Sequence, residues 1–248
     1  MDDTGVRGLT RSYVPLWCKS NYSFLRGASH PEEIVEQAAS FGLPAVAITD
    51  IDGMYGIVKA HVAAQEAGIV LILGSEISVE DGTRILMLAR DREGYASICR
   101  LISKGRLRNP KGLSSVSWDE VIDHSGHTIQ LILPPRAEQI YAYSDAQKEH
   151  SLGESDFLAG IPADQLSRHG DCYLAVSRHF APAEEGREHE RLRWATDHDI
   201  PVIAAQEVLY HHPDRRPLQD VLSSIRVGTA LHQAGRQLMP NGEYSLLD

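Results

Sequence analysis

Asp50, Glu76 and Glu207 each follow a short apolar run. Carboxylate oxygens are hard ligands that suit Mg2+ or Mn2+, and three converging on one point could assist phosphoester hydrolysis. The same residues could equally pair with nearby cations or cap helices. The chain has 12 histidines. His124 with His127, and the adjacent His211 and His212, are the closest together. H-x-x-H is not the i, i+4 pair that a helical zinc site needs. His150, His169, His189 and His198 lie in polar stretches and read as surface residues. No G-x-S-x-G elbow, G-x-G-x-x-G loop or Walker A loop is present, so a serine triad, a dinucleotide or ATP is not indicated. A second chemistry is suggested by Arg100, Lys104, Arg106, Arg108 and Lys111, five cations within a dozen residues. They could meet a phosphate backbone or an acidic partner, or they could be the solvated end of a helix, where the macrodipole favours cations.

Composition narrows these options. The 248 residues carry 24 Lys+Arg against 34 Asp+Glu, a formal charge of −10, and 42% are hydrophobic. The apolar fraction excludes a disordered chain. The acidic balance argues against tight, autonomous nucleic-acid binding, because the overall field repels phosphates. Cys18, Cys99 and Cys172 are far apart, which fits buried small hydrophobes in a reducing compartment and not a disulfide framework or a zinc site. The first twelve residues lack an apolar signal core, and no apolar run could span a bilayer. The expectation is a cytoplasmic protein with no membrane partner and no small-molecule cofactor.

The elements that must position these residues alternate. Short Val-, Ile- and Leu-rich runs predict strands at Val14–Cys18, Ala45–Thr49, Ile69–Leu73, Ile85–Ala89, Thr128–Leu133, Cys172–Val176 and Pro201–Ala205. They do not alternate apolar and polar, as expected for a mostly parallel sheet buried on both faces. Helices are expected at Pro31–Phe41, Tyr55–Ala67, Glu93–Lys104, Trp118–Asp123, Pro162–Ser167, Glu184–Asp197 and Arg215–Arg226. For the first, Ser29 and Glu32 form an S-x-x-E capping box, Pro31 opens the first turn and Gly42 stops the helix. The tract 136–160 reads as an irregular insertion, and residues 1–12 as a tail before one domain over 13–248. A βαβα order with about seven strands gives an α/β class, a barrel or a doubly wound sheet. In either, the functional end lies at the strand C-termini. That end is expected to hold Lys19, Ser20, Asp50, Glu76, Arg90, Asp91, Pro134, Pro135, His179, Gln206, Glu207 and His211.

The segment Asn21-Tyr22-Ser23-Phe24-Leu25-Arg26-Gly27-Ala28-Ser29-His30-Pro31-Glu32-Glu33 resembles the opening of the PHP (polymerase and histidinol phosphatase) domain. The resemblance is to the version found in bacterial C-family replicative polymerases (DNA polymerase III alpha subunits), in particular the error-prone branch. Ala47-Ile48-Thr49-Asp50, Leu73-Gly74-Ser75-Glu76, Met87-Leu88-Ala89-Arg90-Asp91, Arg100-Leu101-Ile102-Ser103, Leu218-Gln219-Asp220, Ile225-Arg226 and Pro240-Asn241 continue it in order. It runs from about residue 13 to 245. It implies a distorted seven-stranded β/α barrel as a single domain. Active members hold two or three metals at the strand C-termini and cleave phosphoesters, in some polymerases as a proofreading exonuclease.

Against that family pattern the ligand positions are depleted. The opening His-x-His is Trp17 and Lys19. An expected Asp is Arg26, and the His after Thr-Asp is Ile51. Glu76 matches. A further His position is Arg84, and the closing Asp-x-His is Glu207 and Leu209. One remaining ligand would fall near Leu133 and Pro134. Three positions have become cations, which repel a metal and can neutralise the carboxylates left behind. Lys19, Arg26 and Arg84 are therefore expected to pair with Glu76, Glu207 and Asp50 in a network without metal. The resemblance then implies a non-catalytic PHP domain, a scaffold for the polymerase body of the same chain that meets DNA only indirectly. The chain ends at Asp248, where the PHP domain would end and before any polymerase palm, so an excised fragment or a stand-alone remnant is expected. The alternative is an active phosphoesterase or 3′–5′ exonuclease, with Mn, Mg or Zn held by Asp50, Glu76, His179 and Glu207. A third option is a binding module that uses the Arg100–Lys111 stretch on DNA.

Overall fold

The computed structural model of the chain describes residues 13–135, 154–169, 171–180 and 184–247. The expected tail at 1–12, and residues 136–153 of the expected insertion, lie outside them. The rest of that tract corrects the expectation of irregularity, because Glu154–Ala159 is helical.

Eight strands are observed: β1 Trp17–Cys18, β2 Ala45–Ile48, β3 Val70–Ser78, β4 Arg84–Ala89, β5 Thr128–Ile132, β6 Asp171–Val176, β7 Val202–Ala204 and β8 Glu207–Val208. β2 through β7 form one curled sheet in sequence order, and β1 pairs with β8. The two sheets are joined, since Ala47 N–H donates to Pro15 C=O (2.9 Å) and Thr49 N–H to Cys18 C=O (2.8 Å). β7 and β8 are one strand broken at Ala205 and Gln206. The ring thus closes as a distorted seven-stranded barrel, and each of the seven predicted strands has its counterpart.

The helices are α1 Pro31–Ser40, α2 Ile57–Ala67, α3 Arg92–Arg108, α4 Trp118–Asp123, α5 Glu154–Ala159, α6 Ala163–His169, α7 Glu184–Asp197, α8 Arg216–Val227 and α9 Leu231–Ala234. The capping box of α1 sits one residue later than expected: the Glu33 carboxylate accepts the His30 N–H at 2.8 Å. Ser29 is drawn away from that task because its hydroxyl accepts the His211 N–H at 2.9 Å.

One strand departs from the parallel pattern. β4 runs antiparallel to both β3 and β5. The link from Ser78 to Arg84 is too short for a parallel crossover, which needs a dozen or more residues. Asp81-Gly82 turns the chain there, with Gly82 at φ +85°. The reversal corrects the placement of Arg90 and Asp91. They stand at the opposite end from the other strand C-termini, Arg90 paired with Asp171 and Asp91 with His127 (2.8 Å). Arg84, at the start of β4, takes their place at the functional end.

Trp17, Ala47, Leu86, Leu88, Leu131, Leu133, Ala175 and Ala205 fill the inside of the curl. Outside it, α1 and α2 pack on β1–β3, while α3 to α7 cover β4–β6. Two layers of apolar contact therefore hold each strand in register and aim its end residues inward.

Candidate functional site

Residues two apart on a strand share a face. Trp17 and Lys19 thus both point inward from the first strand and its extension. Trp17 is the register partner of Glu207 across the β1–β8 pair. Glu76 faces Leu86 across the β3–β4 pair, and Arg84, two residues before Leu86, lies on the same face. The barrel register thereby gathers Trp17, Lys19, Glu76, Arg84 and Glu207.

Glu76 is the centre of this group and is fully buried. Its Oε2 accepts the indole N–H of Trp17 at 2.8 Å and lies 2.8 Å from the Lys19 ammonium. Its Oε1 accepts from Arg84 Nη1, also at 2.8 Å. The other guanidinium nitrogen of Arg84 donates to the Pro134 carbonyl. Lys19 also pairs with Glu207. The Trp17 ring stands 4.8 Å from the Lys19 ammonium and 5.5 Å from the Arg84 guanidinium carbon, within cation–π range. Two cations and two carboxylates cancel, and directed donors replace the water that a buried carboxylate loses. Burial pushes the Glu207 carboxyl up, but Lys19 and Arg84 outweigh burial and the nearby Glu76, and hold it below its usual range.

Asp50 is satisfied differently from the expected ion pairing. Oδ1 accepts the Ser20 N–H (2.7 Å) and the Ser23 hydroxyl (2.6 Å), and Oδ2 the Ser20 hydroxyl (2.7 Å). Burial raises its pKa, and these hydrogen bonds offset part of the rise. Asp52, at φ +46°, accepts the backbone N–H and hydroxyl of Ser78 at 2.9 and 2.8 Å. Burial raises its pKa as well.

The remaining expected positions scatter around this centre. Arg26 is half-buried on the turn after the first strand, where its N–H donates to the Ser23 carbonyl at 2.8 Å. Ile51 bridges the backbone of Glu76. Leu209 is buried with Ala28, Tyr210 and Tyr244. His179 is buried and stacks on Tyr244, ring centroids 4.1 Å apart. Pro134, beside the ligand position that the family pattern left unplaced, enters through its carbonyl. Trp17 read only as a lost ligand in the sequence, yet it donates to Glu76. Ser20 was expected at this end, but its partnership with Ser23 on Asp50 was not, although a Ser-x-x-Ser spacing after a strand end was visible.

The basic stretch does not form one uniform face. Arg106 turns inward and donates to the Asp52 carbonyl through two nitrogens, at 3.1 and 2.9 Å. Arg108 is held by Glu80 at 3.3 Å and by Glu120. Arg100, Lys104 and Lys111 are exposed.

Metal ligation is poorly served by these residues. Among the described residues no group of three His, Cys, Asp or Glu is arranged to hold a metal ion. A divalent cation at Glu76 would meet an ammonium and a guanidinium already on its oxygens. The residues present do not fit the metal cluster that the family resemblance implies.

A family model described as "PHP domain" matches residues 16–176. The chain is 36% identical over 246 residues to the error-prone DNA polymerase of Anaeromyxobacter dehalogenans strain 2CP-C, covering 94% of this chain and 20% of that protein. It is 33% identical over 240 residues to the error-prone DNA polymerase of Ralstonia nicotianae, covering 94% and 22%. The chain thus spans about a fifth of the length of the curated relatives it matches. Among solved structures it is similar to a provisionally assigned metal-dependent phosphoesterase from Bifidobacterium adolescentis, with TM-score 0.52, 21% identity, and 79% and 87% of the two chains covered. It is also similar to an amidohydrolase from Chromobacterium violaceum, with TM-score 0.50, 17% identity and the same coverage. These two share the fold. The family match covers well over half of the chain, and the chain belongs to the PHP domain family.

Proposed function

We propose that this chain is the PHP domain of an error-prone DNA polymerase in which a protein-only ion-pair network stands where active members hold metals. Its role is structural: it packs against the polymerase body of the same chain in the cytoplasm and serves replication or translesion repair without touching the reacting nucleotides. DNA contact is indirect. The observation that carries this reading is the fully buried Glu76, whose two oxygens receive Trp17, Lys19 and Arg84. A carboxylate that already receives three donors, two of them cations, is poorly disposed to ligate a metal. Family membership and the error-prone polymerase relatives support the larger context.

The test is an assay of the purified chain with Mn2+, Mg2+ or Zn2+, against bis(p-nitrophenyl) phosphate and a 3′-labelled single-stranded oligonucleotide. The expected result is no turnover above that of Glu76→Ala, and no stoichiometric metal after dialysis. Turnover that Glu76→Ala abolishes would sink this reading in favour of an active phosphoesterase built on Asp50, Glu76, His179 and Glu207.

A further inference from the structure

Helix α8 wears its apolar side outward. At about 100° per residue, Leu218, Val221, Leu222 and Ile225 fall on one arc of the helix. Leu218, Val221 and Ile225 are 41%, 40% and 60% exposed. The roughly opposite arc carries Gln219 and Ser223, and these polar residues are the ones that are buried. Gln219 Oε1 and Ser223 Oγ are enclosed with no hydrogen-bond partner among the described residues. A surface helix ordinarily buries its apolar stripe and shows water its polar one. The register is not in question, because both ends are set. Pro217 opens the first turn, and Gly228 closes the last one in the left-handed conformation at φ +69°. Leu231 on the following α9 is 46% exposed as well. Only Leu222 turns far enough inward to reach the small cluster of Ala28, Leu209, Tyr210 and Tyr244.

A contiguous apolar surface of this kind marks an interaction site. We infer that the outer face of α8, formed by Leu218, Val221 and Ile225, docks on the polymerase body that accompanies this domain in its relatives. This inference rests on the function proposed above and adds the surface that carries it. The choice of occupant follows from length. The matched relatives are about five times as long as this chain. A partner joined in the same polypeptide is present at high effective concentration and keeps such a stripe covered. The chemistry required of the partner is an apolar groove or helix face, since the arc from Leu218 to Ile225 offers it no charge.

The test compares amide exchange in the isolated 248-residue chain with that in a full-length fusion. In the fusion this chain replaces the matched fifth of the Anaeromyxobacter dehalogenans polymerase. Exchange across Val221–Val227 is expected to slow at least about tenfold in the fusion. Val221→Glu with Ile225→Glu is expected to restore the isolated-chain rate in the fusion, while leaving the unfolding midpoint of the isolated chain unchanged. Val221→Ala with Ile225→Ala, which adds no charge, should do the same to a smaller degree. Protection that appears elsewhere on the domain but not on α8 overturns this inference and leaves the scaffold reading standing. A fusion with no protected region on the domain overturns both. An isolated chain that sediments as a dimer, and as a monomer after Ile225→Glu, assigns the stripe to a second copy and overturns the inference.

Discussion

Removing the ammonium of Lys19 would leave Glu76 and Glu207 to share Arg84. The fully buried Glu76 and the largely buried Glu207 would then share one guanidinium, a net negative charge that water reaches only at Glu207. Breaking a buried pair from one side costs about 3–5 kcal/mol, whereas the intact network adds little net stability because desolvation offsets attraction. Lys19→Met is therefore expected to destabilise the chain by that amount in urea unfolding. Adding Glu207→Gln to it should recover part of the loss, because a matched charge balance is restored. The acids nearby respond to pH with opposite signs. Asp50 and Asp52 have folded pKa values raised by burial. Each therefore costs stability once ionised, and stability falls as pH rises from the ordinary 3.8 through the raised value. Glu207 is depressed below 4.5, so its contribution is present above that value and is lost as pH falls through the folded one. Asp50→Asn is expected to flatten the loss of stability as pH rises above 3.8, while leaving the acid limb set by Glu207. Unfolding curves at several pH values measure both. At this scale the sequence was legible wherever residue type alone decides. Cations at Lys19 and Arg84 beside Glu76 and Glu207 foretold the pairs that form. Asp50 was not legible in this way, because its serine partners are recognised only by how the backbone folds over it.

At the scale of elements, the turn after the first strand folds back onto the strand that precedes it. A Cβ on Gly27 would lie 2.2 Å from the Ser20 carbonyl oxygen and 2.9 Å from that of Lys19. Gly27→Ala must push the turn off β1 and disturb Lys19 and Ser20 together, at an expected cost of about 1–3 kcal/mol. Gly186 in α7 is the control, with nothing within 4 Å of its added Cβ. Gly186→Ala is expected to stabilise the chain by about 0.5–1 kcal/mol, since only helix propensity changes. Thermal and urea unfolding of the two variants compare them directly. Strand positions were readable because apolar runs between turn signals leave little else for the backbone to do. The reversal of β4 was written in the short link containing Asp81-Gly82, a hairpin signal that the prevailing parallel pattern overrode. The shift of the α1 cap from Ser29 to His30 was not written locally, because His211 competes for Ser29 from far along the chain.

The whole molecule joins an acidic exterior to an internal cluster that is electrically balanced. Its −10 charge opposes a phosphate backbone, and two cations of the basic stretch are already engaged, Arg106 by the Asp52 carbonyl and Arg108 by Glu80 and Glu120. If the barrel needs no ion, its stability should not depend on one. Ligand linkage raises stability only when the native state binds. EDTA, or Mn2+ at millimolar concentration, is accordingly expected to leave the thermal midpoint within about 1 °C, whereas a metal-held barrel would move by several degrees. Among the described residues no helix is long and apolar enough to cross a membrane. What the sequence by itself determined is the set of chemical possibilities: seven apolar runs, one retained carboxylate, and cations at positions where the family resemblance expects ligands. Those follow from residue type and short-range period, which act over a few residues. Only the tertiary structure decided which groups meet: Trp17 donating to Glu76, Pro134 accepting from Arg84, Arg90 sent to the far end, and α8 turning its apolar side outward. Each depends on strand register, strand direction or helix rotation. These are set by packing between segments tens to hundreds of residues apart, and so cannot be read from the local pattern.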